Sequence, residues 1–213
     1  LFMSDNGGNA EAGPKGKTIG DPATAASDWF CGMSWAFVEN TPFRLFKHFN
    51  HEGGVATPLI AHWPAGIAAK GEWRTQPAHL IDVMPTCVEL AGATYPAELH
   101  GTPIQPMEGK SLVPAFADRP IERDALYWEH EGNAAVRVGD LKLVRRGRAG
   151  AWELYDMKAD RTELHDLAAS QPEKVKELAA KWEAWAARAQ VVPGPNDGQG
   201  KKGAGRGKKK AKA

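Results

Sequence analysis

The chain has 213 residues, 42% of them hydrophobic and 25% charged, an ordinary globular balance with room for one sizeable core or one domain and part of another. No apolar run reaches the roughly 18 residues of a spanning helix, so no membrane span is expected. The net charge of +1 hides an asymmetry: residues 201–213 carry seven Lys or Arg and no acid, leaving 20 bases against 26 acids, a net of −6, in the rest. That mildly acidic body argues against a broad nucleic-acid face.

The first residues, Leu1-Phe2-Met3, read as the end of a buried strand, with Ser4 to Gly8 as the turn that leaves it. The chain therefore opens inside an apolar segment, without an initiator Met or a basic leader. Residues 9–28 are rich in Gly, Ala, Pro and Lys with no apolar period, which predicts a surface loop. Val55 to Trp63 reads as a second strand closed by Pro64-Ala65-Gly66. His79 to Ala91 has helical spacing at Leu80, Val83, Met84, Val88 and Leu90, with Pro85 in its first turns and Gly92 as its stop. Cys87 on that helix reads as a small buried apolar residue.

From about residue 124 the period changes. Ala125 to Trp128 is strand-like, and Val136 and Val138 alternate across Gly139-Asp140 with Leu141 and Leu143, which predicts a β-hairpin. Trp152 to Tyr155 supplies another strand. Ser170-Gln171-Pro172-Glu173 has capping-box spacing, and Val175, Leu178, Trp182 and Trp185 follow as a core-facing helical stripe. The expected organisation is an incomplete, parallel-type α/β unit over 1–120, an antiparallel sheet with a helix over 121–192, and a solvated basic tail over 193–213.

Few residues offer chemistry. Asp5-Asn6-Gly7 is a turn sequence in its own right, but oxygens at the carboxyl end of a strand also lie where open α/β sheets place their sites. Asp and Asn oxygens suit a hard cation, Ca²⁺ or Mg²⁺, and two are too few for a complete site. Lys47 reads either as a solvated lysine or as an ammonium placed against an anion. His51-Glu52 fails as a zinc-protease helix, because position 55 is Val and Gly53-Gly54 would break it. His48 and His51, three apart, lack a third metal ligand. His62 reads as a structural histidine on a strand, and Glu129, His130 and Glu131 as solvated or locally hydrogen-bonded. Cys31 and Cys87 match no zinc spacing or disulfide framework.

Six segments in order resemble the C-terminal third of the arylsulfatase family, within the alkaline phosphatase superfamily. They are Ser4 to Gly7; Asn40 to Lys47 running into His51-Glu52-Gly53-Gly54 and on to Ile60; His79 to Thr86; Gly109 to Leu112; Gly139 to Val144; and Glu153 to Asp156 with Glu163 to Ala168. Only residues 190–213 fall outside the resemblance.

The resemblance implies an alkaline-phosphatase-like α/β fold: the edge of a large mixed sheet plus a small antiparallel sheet packed by a helix. It implies that Asp5 and Asn6 ligate an active-site Ca²⁺ and that Lys47 contacts the sulfate and the leaving oxygen. The family's formylglycine nucleophile, made from Cys or Ser in a Cys-x-Pro-x-Arg context, is matched by neither Cys31 nor Cys87, and the early Asp-Asp ligands are absent. The chain is thus expected to be the later part of a sulfuric ester hydrolase, inactive alone, whose substrate is a small sulfate ester or a sulfated glycan. A periplasmic or secreted location would fit the resemblance. A phosphate mono- or diesterase of the same superfamily, and a non-catalytic binding or structural module, stand as alternatives.

Overall fold

A computed structural model describes residues 1–11 and 32–191; most of the loop expected over 9–28, Cys31 and the tail from 193 lie outside the described residues. The best-buried part is a four-stranded antiparallel meander: β5 (Leu126–His130), β6 (Asn133–Val138), β7 (Leu141–Arg145) and β8 (Glu153–Asp156), in that spatial order. Val138 pairs with Leu141 across Gly139-Asp140, the expected two-residue turn, and Gly139 takes the positive φ of 57° that such turns require.

The first four residues of β6 are buried although they include Ala134-Ala135-Val136, a run without alternation. The reason is that both faces of the sheet are covered. On one face Ala134, Val136, Leu143 and Leu154 pack against Leu178, Trp182 and Ala186 of α5 (Pro172–Arg188). Each buried large side chain there contributes about 1.5–3 kcal/mol. Trp182 also donates its indole N–H to the Trp128 carbonyl at 3.0 Å, and Trp185 stacks on Tyr127 at 5.1 Å. The helical stripe read from the sequence is thus the lid of this core. On the other face Ala135, Val144, Tyr155 and Met157 form a second cluster, and Lys142 lies on that same side with none of its surface exposed.

The N-terminal half is built from short elements. These are β1 (Phe2–Met3), α1 (Gly32–Asn40), the single turn α2 (Glu52–Val55), β2 (Leu59–Ile60), a 3-10 turn (Leu80–Asp82) running into α3 (Val83–Leu90), β3 (Glu98–Leu99), β4 (Thr102–Pro103) and α4 (Val113–Phe116). Asp82 anchors this region from a fully buried position. Its carboxylate accepts from the backbone N–H groups of His79 and Lys110 at 2.8 Å each, and pairs with Arg123 at 2.7 Å. Four donors around one carboxylate satisfy the charge that burial would otherwise make costly.

Several expectations need correction here. β1 pairs antiparallel with β2, not as a parallel edge, and it is not buried: Phe2 is 71% exposed and Met3 half-buried. The second strand shrinks from Val55–Trp63 to Leu59–Ile60, because Val55 closes α2 and Pro58 and Pro64 have no N–H to donate. Both Gly53 and Gly54 sit inside the helical turn of α2 that they were expected to break. Cys87 is exposed, since its helix turns only Pro85 and Thr86 fully inward. His62 is exposed and off any strand. The capping box at Ser170 does not form: Ser170 donates to the Leu167 carbonyl, and Gln171 is the N-cap without a side-chain bond. Pro172 at the first helical position and Gly92 at φ 59° after α3 match expectation.

Candidate functional site

Two Gly-Gly pairs explain how distant segments meet. A Cβ on Gly7 would lie 1.8 Å from the Gly53 carbonyl oxygen, and one on Gly54 would lie 1.9 Å from that of Phe49. Only bare backbones approach this closely. The nesting is sealed by Gly7 N–H to Gly54 O and Lys47 N–H to Gly8 O, each 3.0 Å. Buried Asn40 adds a third tie: its Oδ1 accepts from Gly8 N–H at 2.7 Å and its Nδ2 donates to the Leu45 carbonyl at 3.1 Å. The turn bearing Asp5 and Asn6 is thereby fixed against the loop bearing Lys47.

Within that turn Ser4 Oγ donates to the Asn6 carbonyl at 2.9 Å, and the Asn6 amide nitrogen donates to Gly7 O at 2.8 Å. Asp5 is exposed and makes no ion pair among the described residues, and Asn6 is half-buried. A carboxylate and an amide oxygen on consecutive residues are the donor types that a Ca²⁺ or Mg²⁺ takes. Lys47 is partly exposed, its Nζ 3.8 Å from Glu11 Oε1.

Beneath the Lys47 loop lies a buried ionic layer that the sequence reading missed. Lys142 Nζ sits 2.9 Å from Glu52 Oε1 and 2.9 Å from Glu163 Oε1, the latter contact being an ion pair off the line of a hydrogen bond. Glu163 Oε2 accepts from Glu52 N–H at 2.8 Å, and Arg161 reaches Glu52 Oε2 at 3.1 Å. Burial pushes the Glu52 carboxyl up, but Lys142, helped by Arg161, outweighs it and holds the group below the ordinary carboxylate range. A second layer joins His51, Arg44 and Tyr155 on Glu153 Oε2, at 3.2, 2.6 and 2.6 Å. The hydrogen bond from His51, with those from Tyr155 and Arg44, overcomes burial and lowers Glu153 to about 2. Burial and the Glu153 charge raise Tyr155 above its usual range. Both layers bind the segment 44–54 to β7, β8 and the loop after β8, so the antiparallel sheet is the floor on which the Lys47 loop stands. The sequence signal for this was Lys142 beside a strand with no dry–wet alternation.

His48 and His51 do not share a face. His51 points inward to Glu153, while His48 points outward, its Nδ1 2.9 Å from Glu131 Oε2 and its ring stacked on His130. Glu129 is locally bonded as expected, accepting from Gly132 N–H at 2.8 Å.

Residues 43–188 match the family of the N-sulphoglucosamine sulphohydrolase C-terminal region. The chain belongs to the sulfatases. It is 32% identical over 179 residues to an uncharacterized sulfatase of Schizosaccharomyces pombe, covering 79% of this chain and 31% of that protein. It is 32% identical over 161 residues to a sulfatase of Formosa agariphila, covering 68% and 28%. With an N-acetylglucosamine-6-O-sulfatase of Bacteroides thetaiotaomicron it shares 30% over 145 residues, covering 62% and 25%. Among solved structures, Ps i-CgsB superposes with a TM-score of 0.60 at 25% identity, over 87% of this chain and 35% of that one. BT4656, solved with its substrate D-glucosamine-2-N,6-O-disulfate, gives 0.52 at 26% identity over 71% and 32%. The described part of this sulfatase chain therefore has the alkaline-phosphatase-like α/β fold with its small antiparallel sheet. The chain spans between a quarter and a third of the length of these curated relatives. No helix among the described residues is long and apolar enough to cross a membrane.

Proposed function

We propose that this chain supplies the C-terminal share of the catalytic centre of a sulfuric ester hydrolase. In that reading Asp5 and Asn6 are two ligands of a hard divalent cation, Ca²⁺ or Mg²⁺, which neutralises sulfate oxygens. Lys47 contacts the sulfate and stabilises the charge that develops on the leaving oxygen. The nucleophile, a formylglycine, and the remaining ligands belong to a preceding part of the protein. The observation that carries the reading is the nesting of the Asp5-Asn6 turn on the Lys47 loop through Gly7, Gly8 and Gly54. That nesting braces the backbone of the two segments that would supply two hard oxygens and one ammonium, the combination needed to clamp an anion. The relatives' names favour a sulfated sugar as substrate, since one acts as an N-acetylglucosamine-6-O-sulfatase.

The decisive test is in the full-length parent enzyme. Lys47→Ala is expected to lower kcat for an aryl sulfate by about 10²–10³-fold, the cost of losing one oxyanion contact. Unchanged turnover would remove Lys47 from the chemistry, and faster turnover of an aryl phosphate assayed alongside would transfer the site to phosphate esters. Calorimetric Ca²⁺ titration of the 213-residue chain is expected to show weak binding at most, because two ligands do not fill a Ca²⁺ shell.

A further inference from the structure

The hairpin linking β5 to β6 closes in two residues, Glu131-Gly132, with φ of 52° and 84°. Turns of this kind favour Asn, Asp or Gly at the first position, so a glutamate there is a strained choice. Its effect is to aim a carboxylate outward, where Glu131 Oε2 lies 2.9 Å from His48 Nδ1. His48 is itself a non-glycine at φ 87°. Two strained residues from segments more than eighty positions apart thus meet side chain to side chain.

The scaffold below them is fixed. Buried Asn133 donates from one amide nitrogen to the carbonyls of both His48, at 2.8 Å, and His130, at 2.9 Å, while its Oδ1 accepts from Gly147 N–H at 3.0 Å. That clamp brings the imidazoles of His48 and His130 to a stacked separation of 5.8 Å. One ligand atom from each of His48, His130 and Glu131 then lies within 4.8 Å of the other two. Tetrahedral zinc ligands sit about 3.3 Å apart. The His48–Glu131 pair already meets that spacing, and His130 and Glu131 are exposed and free to close the remainder by rotamer change. On the far side of the His48 ring, Nε2 is 3.7 Å from Glu11 Oε1, and Glu11 is oriented by Asn9 at 3.2 Å. A carboxylate behind a ligating imidazole is the usual way a metal-bound histidine is steered.

We propose that His48, His130 and Glu131 bind a divalent ion of the zinc class, with Glu11 positioning His48. Two imidazoles and one carboxylate prefer Zn²⁺ to Ca²⁺ or Mg²⁺, and three protein ligands on an open surface leave a coordination position for water or an anion. This site is separate from the Asp5-Asn6 turn and does not depend on the role proposed for it.

The test is calorimetric titration of the chelator-stripped chain with Zn²⁺, expected to show one-to-one binding in the micromolar range that excess Ca²⁺ does not displace. Glu131→Asn removes the carboxylate while suiting the turn better, so it separates binding from folding. It and His130→Ala are each expected to weaken Zn²⁺ binding at least about tenfold, and Glu11→Gln by about tenfold. Asp5→Ala is expected to leave it unchanged. Co²⁺ in place of Zn²⁺ is expected to give visible d–d bands that Glu131→Asn abolishes. Absence of stoichiometric binding, or Glu131→Asn and His130→Ala chains that bind as the parent does, would overturn the proposal, the latter pointing to an adventitious ion on exposed histidines such as His62, His100 or His165.

Discussion

Replacing Lys142 by Met removes the one ammonium that lies between Glu52 and Glu163, at 2.9 Å from each, in a site where all three side chains are buried. Met fills a similar volume, so the cost is electrostatic, not a cavity. Glu52 keeps Arg161, but Glu163 is left with only the Glu52 N–H as a described donor. Breaking a buried pair from one side costs about 3–5 kcal/mol. At about 2–4 °C per kcal/mol for a chain of this size, that lowers Tm by roughly 6–20 °C. The pH dependence follows from the direction of the Glu52 shift. Lys142 depresses the folded-state pKa of Glu52, so its stabilisation is present above the ordinary carboxylate range and is lost as pH falls through the lowered value. In Lys142→Met the uncompensated carboxylate takes up a proton, and the variant loses stability as pH rises. The gap between the two chains should therefore widen from mildly acidic to neutral pH in urea melts. Adding Glu163→Gln to Lys142→Met should recover part of the loss, because it removes the stranded charge. A gap below about 1 kcal/mol that does not change with pH would refute the ionic layer as a brace.

Gly7→Ala sets a Cβ 1.8 Å from the Gly53 oxygen, so one loop must retreat by about 1.5 Å. Thermal melts are expected to show a loss of about 1–3 kcal/mol or more, and the parent enzyme about a 10²-fold loss of aryl-sulfate turnover; an unchanged Tm would mean that the loops do not nest. Glu153 has a folded pKa near 2 against an ordinary 4.5, so its stabilisation is complete above about 4.5 and lost on the way down to about 2. That shift is worth about 3 kcal/mol at most, and Glu153→Gln should flatten the acid limb of the stability curve by that order. Parallel curves for the two chains would dismiss the His51–Glu153 layer. Trp182→Ala empties the centre of the helix–sheet core and strips an indole hydrogen bond, with an expected cost of about 3–5 kcal/mol in urea melts. Trp185→Ala, at a half-buried position, should cost distinctly less.

The parts of the fold that were legible in the sequence are those decided over a few neighbouring residues. Gly139-Asp140 between alternating strands specifies its hairpin by turn chemistry alone, and the spacing of Leu178 and Trp182 specifies which face of α5 is buried. The double glycines were legible as punctuation, but the purpose of Gly7 depends on the Gly53 backbone more than forty positions away. Cys87 and Phe2 were misjudged for a related reason: an apolar period says that a face is to be covered, not that a covering element lies among the described residues.

Lys142 exposes the limit of the alternation rule. Its flanking leucines made it look like the wet side of a half-buried strand, a reading that holds only when one face of the sheet meets water. Here the segment carrying Lys47 covers the second face, so the lysine is enclosed and must bring its own counter-charges, Glu52 from 90 positions upstream and Glu163 from the loop after β8. The unbroken run Ala134-Ala135-Val136 on the neighbouring strand is the local trace of that second cover: small residues on both faces leave room for backbone and charge to approach. A polar residue one register step past such a run, as Lys142 is opposite Arg137, is better read as the foot of a buried ion pair than as solvent-facing, and in this chain that foot supports the loop on which the proposed chemistry rests.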